Sequence, residues 1–223
     1  MAKTYSKELP NYTKGEEIFN AVSHIVGGAF GIIALVIGLV FAYKYSDGYG
    51  IVSMAIYGSS MILLYTMSAI YHFLRRNKAK KIFRIFDHCT IFLLIAGTYT
   101  PFCLVTLREA GAWGWTLFGV VWFFAILGIV FNAINMHNPL IKTLSMICYL
   151  AMGWCVVIAI GPLLDNLAKI GFVWLLIGGI MYTLGAVFYL IGSKKKYIHS
   201  VWHLFCLAGT IFQFISILLF VLK

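Results

Sequence analysis

The sequence predicts an all-α integral membrane protein, a bundle of seven transmembrane helices with a cytosolic N-terminus and an extracytoplasmic C-terminus. Of its 223 residues, 62% are hydrophobic and only 11% are charged, whereas a soluble domain carries roughly 25% charged residues. Seven long apolar stretches follow one another with short connections, and basic residues are concentrated in alternate connections. These three observations predict the fold class.

Each apolar stretch is long enough for a helix to cross the hydrocarbon core, which takes about 20 residues. We expect spans at 18–43, 50–74, 85–107, 113–134, 141–162, 170–192 and 198–222. Residues 1–17 would form a cytosolic segment, and residues 18–223 a single transmembrane domain. Thr13 and Glu16 have the spacing of a capping box, which predicts the start of the first helix. The polar first 17 residues do not predict a cleavable signal peptide.

The lysines and arginines predict the orientation. Thirteen of the 17 fall in the N-terminal segment and in the second, fourth and sixth connections, and four fall on the other side. Because basic loops stay in the cytosol, the N-terminus is predicted to be cytosolic, in the cell membrane. The net charge of +10 is then explained by topology and anionic lipid headgroups. Membrane lipids, and not nucleic acid, are the expected partners.

Polar residues at membrane depth are costly and usually serve a function. Asp87 is the one acidic residue within the predicted spans. Together with His72, His199 and His203, it lies within a few residues of a cytosolic lysine or arginine, which corresponds to roughly 4–10 Å of helix rise. Three distant segments are therefore predicted to place polar groups at one depth of the bilayer.

The spacing of these residues indicates a zinc site. His199 and His203, at i and i+4, share a helix face, which is the spacing by which two imidazoles reach one zinc ion. His72 would supply a third imidazole, and three imidazoles with one water make an open site of the catalytic type. Asp87 would orient that water or accept its proton, and Ser68, one turn before His72, would hydrogen-bond the water or an imidazole.

Each residue also has a simpler interpretation. His199 could be an interfacial residue, and His72 could end its helix, where the dipole favours an imidazolium. Asp87 could favour the N-terminus of its helix or pair with Arg84, and Ser68 could bond to its own turn. The combination at one depth is what favours zinc.

Three other polar residues within the spans are expected to be structural. His88 points about 100° away from Asp87 around its helix. Asn20 and His24 share a face of the first helix and are expected to hydrogen-bond within the bundle.

Five segments carry a family resemblance: residues 17–24 (EIFNAVSH), 68–72 (SAIYH), 86–88 (FDH), 96–101 (AGTYTP) and 199–203 (HSVWH). Together they resemble the hemolysin III family, the bacterial branch of the progestin and adipoQ receptors (adiponectin receptor-like proteins), a superfamily related to alkaline ceramidases. The resemblance implies zinc held by His72, His199 and His203. It also implies a water near Asp87, with Ser68 adjacent, and an association with lipid-amide hydrolysis.

Three functions follow as hypotheses. The first is a zinc-dependent, ceramidase-like hydrolase that acts on lipid amides or esters from the cytosolic leaflet. The second is a membrane-lipid sensor or regulator in which zinc is structural and ties helices two and seven together. The third is a pore-forming haemolysin, which the nearly continuous apolar sequence disfavours, because a secreted pore former is soluble before it inserts.

Overall fold

The computed structural model describes residues 9–192 and 195–223, and this part of the chain is all-helical. Seven of its helices are long and apolar enough to cross a membrane, which confirms the seven predicted spans. They are α1 (Lys14–Tyr45), α2 (Gly48–Phe73), α3 (Lys78–Thr106), α4 (Trp113–Asn135), α5 (Pro139–Asn166), α6 (Lys169–Gly192) and α7 (Ile198–Val221). Among the residues used to predict the topology, Lys3, Lys7 and Lys194 lie outside the described residues.

The start of α1 is fixed by the predicted capping box. The Thr13 side chain accepts a hydrogen bond from the Glu16 amide, and the Glu16 carboxylate accepts one from the Thr13 amide at 2.8 Å. Glu16 also accepts a hydrogen bond from the Tyr197 amide, at 2.8 Å, directly before α7. The first turn of α1 therefore helps to hold the start of α7 in place.

The third helix begins at Lys78 and not at residue 85, which corrects the predicted boundary. The Asn77 side chain accepts from the Lys80 amide at 2.9 Å and so caps the helix. Lys80 and Arg84, expected in a cytosolic connection, are only 2% and 5% exposed. Asp87 therefore lies about 14 Å along α3 from Lys78 and not in the first turn of the helix.

Close packing between α1 and α2 depends on small residues. A Cβ atom at Gly27 would clash with the ring of Tyr65, and one at Gly31 would lie 3.3 Å from Ile62. Small residues let two helix backbones approach closely within a membrane. This contact fixes which face of α1 is turned towards the interior of the bundle.

A hydroxyl cluster joins α2, α6 and α7. Thr210 donates to the Cys206 carbonyl of its own helix, so its oxygen is left to accept from the hydroxyls of Tyr65 at 2.7 Å and Tyr182 at 2.6 Å. This arrangement uses the full hydrogen-bonding capacity of the Thr210 hydroxyl.

The fifth helix is broken in its middle, and Tyr99 of α3 compensates for the break. The α-helix ends at Gly153, a 3₁₀ segment runs over Cys155–Ala159, and helix resumes at Ile160. The Tyr99 hydroxyl donates to the Gly153 carbonyl and accepts from the Val156 amide, both at 2.9 Å. Irregular backbone at membrane depth is tolerated where protein groups satisfy it.

We therefore expect Tyr99→Phe to destabilise the protein, because it leaves a carbonyl and an amide without partners. Each such group costs about 1–3 kcal/mol. Thermal unfolding in detergent measures the effect. The matched control is Tyr57→Phe, which removes an equally buried hydroxyl whose one long contact, 3.4 Å, is to the Thr210 carbonyl. An equal loss in both variants would contradict the role of Tyr99.

Candidate metal centre

Three buried histidines converge where α2 ends and α7 begins. His72 lies in the last turn of α2, and His199 and His203 lie in the first two turns of α7. One ring nitrogen from each lies within 4.8 Å of the other two. The structure thus brings together the three residues that the sequence predicts as ligands, and the cluster could hold a metal ion.

The orientation of the rings fits a cation. The Nε2 atoms of His199 and His203 are 3.2 Å apart, close to the roughly 3.4 Å between two nitrogens on one tetrahedral zinc ion. Nε2 of His72 is buried and has no hydrogen-bond partner among the described residues. A shared divalent cation would satisfy the two facing Nε2 atoms and the orphaned nitrogen of His72.

The outer nitrogen of His72 is held by a carboxylate that the sequence analysis did not assign to the site. Nδ1 of His72 lies 2.8 Å from Oε2 of Glu17, and Oε1 of Glu17 accepts from Nζ of Lys80 at 2.7 Å. A carboxylate in this position keeps the proton on Nδ1 and leaves the Nε2 lone pair for a metal. The ammonium of Lys80 compensates the charge of the carboxylate.

The same face of α1 supports the other outer contacts. Asn20 accepts from the Ser200 hydroxyl at 2.6 Å, and its amide lies 3.5 Å from Nδ1 of His72. The Ser23 hydroxyl lies 3.4 Å from Nδ1 of His203. Glu17, Asn20 and His24 are spaced at i, i+3 and i+7, which puts them on one helix face. That spacing is the sequence signal that would have assigned this face to the site.

His24 does not follow the expectation that it hydrogen-bonds within the bundle. Its ring stacks on His203 with the centroids 3.7 Å apart, and it meets the edge of the Tyr65 ring at 5.1 Å. Both of its nitrogens are buried without a hydrogen-bond partner among the described residues. The position that the expectation assigned to a hydrogen-bond partner is taken by the rings of His203 and Tyr65.

Asp87 and Ser68 are both buried but are not part of the three-histidine cluster. A carboxylate oxygen of Asp87 lies 3.6 Å from Nδ1 of His88. The Ser68 hydroxyl has no partner among the described residues, so the alternative that it bonds to its own turn is wrong. Their roles beside a metal-bound water stay predictions.

A largely apolar cavity of about 190 Å³ begins beside the cluster. Asp87, His24 and His88 lie at one end, and Phe102 and Phe172 line the other, between α3, α5, α6 and α7. Its described lining contains none of the three clustered histidines.

The cavity reaches the outer surface of the bundle. Trp154 and Val157, which line it beside the break in α5, are also exposed on the surface that would face lipid. The Trp154 indole donates to Thr183 of α6 at 3.0 Å, so the two helices meet at this point. A chain-like apolar molecule that entered the cavity laterally would pass beside this contact, where Trp154 and Val157 are exposed.

The N-terminal segment covers the cluster from the end of the bundle. The Tyr12 ring stacks on His199 with a centroid distance of 4.9 Å, and burial raises the pKa of Tyr12, so its phenol is neutral. Arg76 donates to the carbonyls of Leu9 and Pro10 and so anchors this segment.

Comparisons with known proteins agree with this architecture. The sequence matches the family described as Haemolysin-III related over residues 12–214. It is 45% identical to Hemolysin-3 of Bacillus cereus over 207 residues, which cover 93% of this chain and 92% of the relative. It is 42% identical to the Hemolysin-3 homolog of Bacillus subtilis (strain 168) over 212 residues, which cover 95% and 97%.

A more distant relative is human monocyte to macrophage differentiation factor, 25% identical over 198 residues that cover 85% of this chain and 78% of the relative. The matches confirm the resemblance predicted from the five sequence segments, and with the seven apolar helices they make the chain a multi-pass protein of the cell membrane. The chain belongs to the Haemolysin-III related family.

Proposed function

We propose that the chain is a zinc-dependent hydrolase of lipid amides or esters that takes its substrate from the cytosolic leaflet. The observation that carries the proposal is that Asp87, a buried carboxyl group, lines an apolar cavity together with His24, whose ring stacks on His203 of the three-histidine cluster. An apolar pocket with a few convergent polar groups at one end is the usual form of a small-molecule site.

The substrate class follows from the cavity. Its lining is dominated by Leu, Ile, Val, Phe and Trp side chains, which suit an acyl chain and offer little to a polar molecule. An acyl chain that entered between α5 and α6 would bring its carbonyl group to the end occupied by Asp87. A lipid amide or ester has this combination of a long apolar chain and one hydrolysable carbonyl.

The residues divide the chemistry among them. His72, His199 and His203 would hold zinc, which when bound supplies a water-derived nucleophile at neutral pH. Asp87 would accept a proton from the attacking water as the new carbon–oxygen bond forms. It would then return that proton to the leaving nitrogen or oxygen as the amide or ester bond breaks. Ser68 would donate a hydrogen bond to the attacking water or to the carbonyl oxygen.

A second function, a lipid sensor with structural zinc, is favoured by one observation. The three histidines lie outside the described cavity lining, and a shared ion would tie α2 to α7. A ligand in the cavity would then alter the packing of the bundle without reaching the metal. The two functions differ in what they require of Asp87.

Both functions assume that the three histidines hold zinc, and the metal content of the purified protein tests this assumption. We expect about one zinc ion per chain, lost in His72→Ala and His203→Ala, because the remaining two imidazoles bind zinc weakly. Elemental mass spectrometry of detergent-purified protein measures this. His137→Ala, an exposed histidine outside the helices, is the matched control and should keep the metal. Full metal content in both site variants would contradict the proposed ligand set.

Turnover distinguishes the two functions. We expect Asp87→Asn to reduce hydrolysis of a labelled lipid amide or ester by about 10²–10⁴-fold, because the proton acceptor is lost, while zinc is retained. The control Asp165→Asn changes an exposed aspartate and should leave turnover unchanged. Zinc-loaded protein that turns over no lipid in a broad panel would contradict the hydrolase and favour the sensor. Dye release from liposomes would instead support pore formation.

The outer contact of His72 gives a third test. We expect Glu17→Gln to weaken zinc affinity about 10–100-fold, because the carboxylate no longer orients the imidazole. Competition with a chromogenic chelator measures the affinity, and Glu109→Gln, an exposed glutamate, is the control. Because Lys80 would lose its counter-charge, Glu17→Gln/Lys80→Met is measured in parallel. Unchanged affinity in both variants would argue against this role of Glu17.

A further inference from the structure

His24 lies at the polar end of the cavity with hydrogen-bonding capacity that the protein does not use. It is 2% exposed, and both ring nitrogens lack a partner among the described residues. Buried polar groups in folded proteins are almost always hydrogen-bonded, so an imidazole with two orphaned nitrogens needs an explanation.

The surroundings of His24 leave the cavity as the place for a partner. One face of the ring is covered by His203, and Tyr65 packs edge-on against it. The neighbouring polar groups on α1 are engaged elsewhere, since Asn20 accepts from Ser200 and Ser23 donates to the Asn20 carbonyl. His24 itself is part of the cavity lining.

His88 and Asp87, the two other titratable groups named at this end of the cavity, do not offer the same contact. Nδ1 of His88 lies 2.9 Å from the Arg84 carbonyl, and Nε2 lies 3.4 Å from the Tyr189 hydroxyl. Asp87, when ionised, can only accept hydrogen bonds. A neutral imidazole carries one N–H donor, so His24 is positioned to donate to an oxygen that enters the cavity.

We propose that His24 donates a hydrogen bond to the neutral carbonyl oxygen of an acyl ligand in the cavity. An amide, an ester or a ketone offers such an oxygen. The bond fixes the carbonyl carbon beside Asp87 and keeps the acyl chain in the apolar part of the cavity. This inference deepens the proposed hydrolase and rests on it for the identity of the ligand as a substrate.

A role of His24 as a fourth metal ligand has less support. The ring nitrogens that could share one ion belong to His72, His199 and His203, and His24 is not in that group. Its contact with His203 is a face-to-face stack, which directs the nitrogens along the ring plane and not through it. Metal content separates the two roles, because a stacked Phe preserves the ring contact without a nitrogen.

Binding of a matched pair of probes tests the inference. The probes are 2-heptadecanone, whose carbonyl cannot be hydrolysed, and heptadecane, which has the same chain without oxygen. Native mass spectrometry of the full-length, zinc-loaded protein measures both. We expect wild type to prefer the ketone, and His24→Phe to weaken ketone binding about tenfold without changing heptadecane binding or zinc content. His24→Gln, which keeps an N–H donor, should recover part of the preference.

Three results would overturn the inference: equal binding of both probes by wild type, an unchanged ketone preference in His24→Phe and His24→Gln, or loss of zinc in both variants. The hydrolase is tested separately, by measuring lipid turnover in the Asp87→Asn variant. Ketone binding that depends on His24, without turnover, would sustain the inference and reject the hydrolase. Turnover that depends on Asp87, together with ketone binding that does not depend on His24, would support the hydrolase and reject the proposed role of His24.

Discussion

The Glu17 carboxylate joins three helices at the end of the bundle that carries the histidine cluster. It stands on α1, lies 2.8 Å from the imidazole of His72 on α2, and accepts from the ammonium of Lys80 on α3. The Lys80 side chain is 2% exposed and that of Glu17 20%. A buried ammonium without a partner is strongly destabilising, so this contact favours the register of α1, α2 and α3 seen in the structure. The same register leaves Nε2 of His72 facing the two histidines of α7, and the candidate metal centre therefore depends on this contact.

The seven spans could be predicted because lipid imposes a minimum length of apolar helix, and composition alone reveals it. The ends of the helices were less predictable. Lys80 and Arg84 are predicted to be loop residues, because a basic run beside a span normally faces the cytosol. In the structure α3 begins at Lys78, and both side chains are buried. The break in α5 has no local signal, since its compensating partner Tyr99 lies 54 residues before Gly153 and is brought to it only by the fold.

The three histidines could be predicted because a helical i, i+4 pair and a common depth are properties of the sequence. The residues that contact these histidines could not be predicted, because each contact depends on which helix faces pack together. Glu17 falls in the predicted cytosolic segment, and only the packing of α1 against α2 brings its carboxylate to His72. His24 is expected to hydrogen-bond within the bundle, but its ring stacks on His203 of α7, a contact that only the fold creates.

The stack of His24 on His203 is the contact through which the cavity and the metal centre meet. One ring faces the ligand space and the other belongs to the histidine cluster, with their centroids 3.7 Å apart. A ligand that bonds to His24 would therefore fix a ring that packs directly on a metal-ligating imidazole. In a hydrolase this places the carbonyl next to the nucleophile. In a sensor it transmits occupancy of the cavity to the α2–α7 junction. Both functions need the same contact and differ only in the role of Asp87. In the hydrolase Asp87 transfers protons, whereas the sensor requires no chemistry of it.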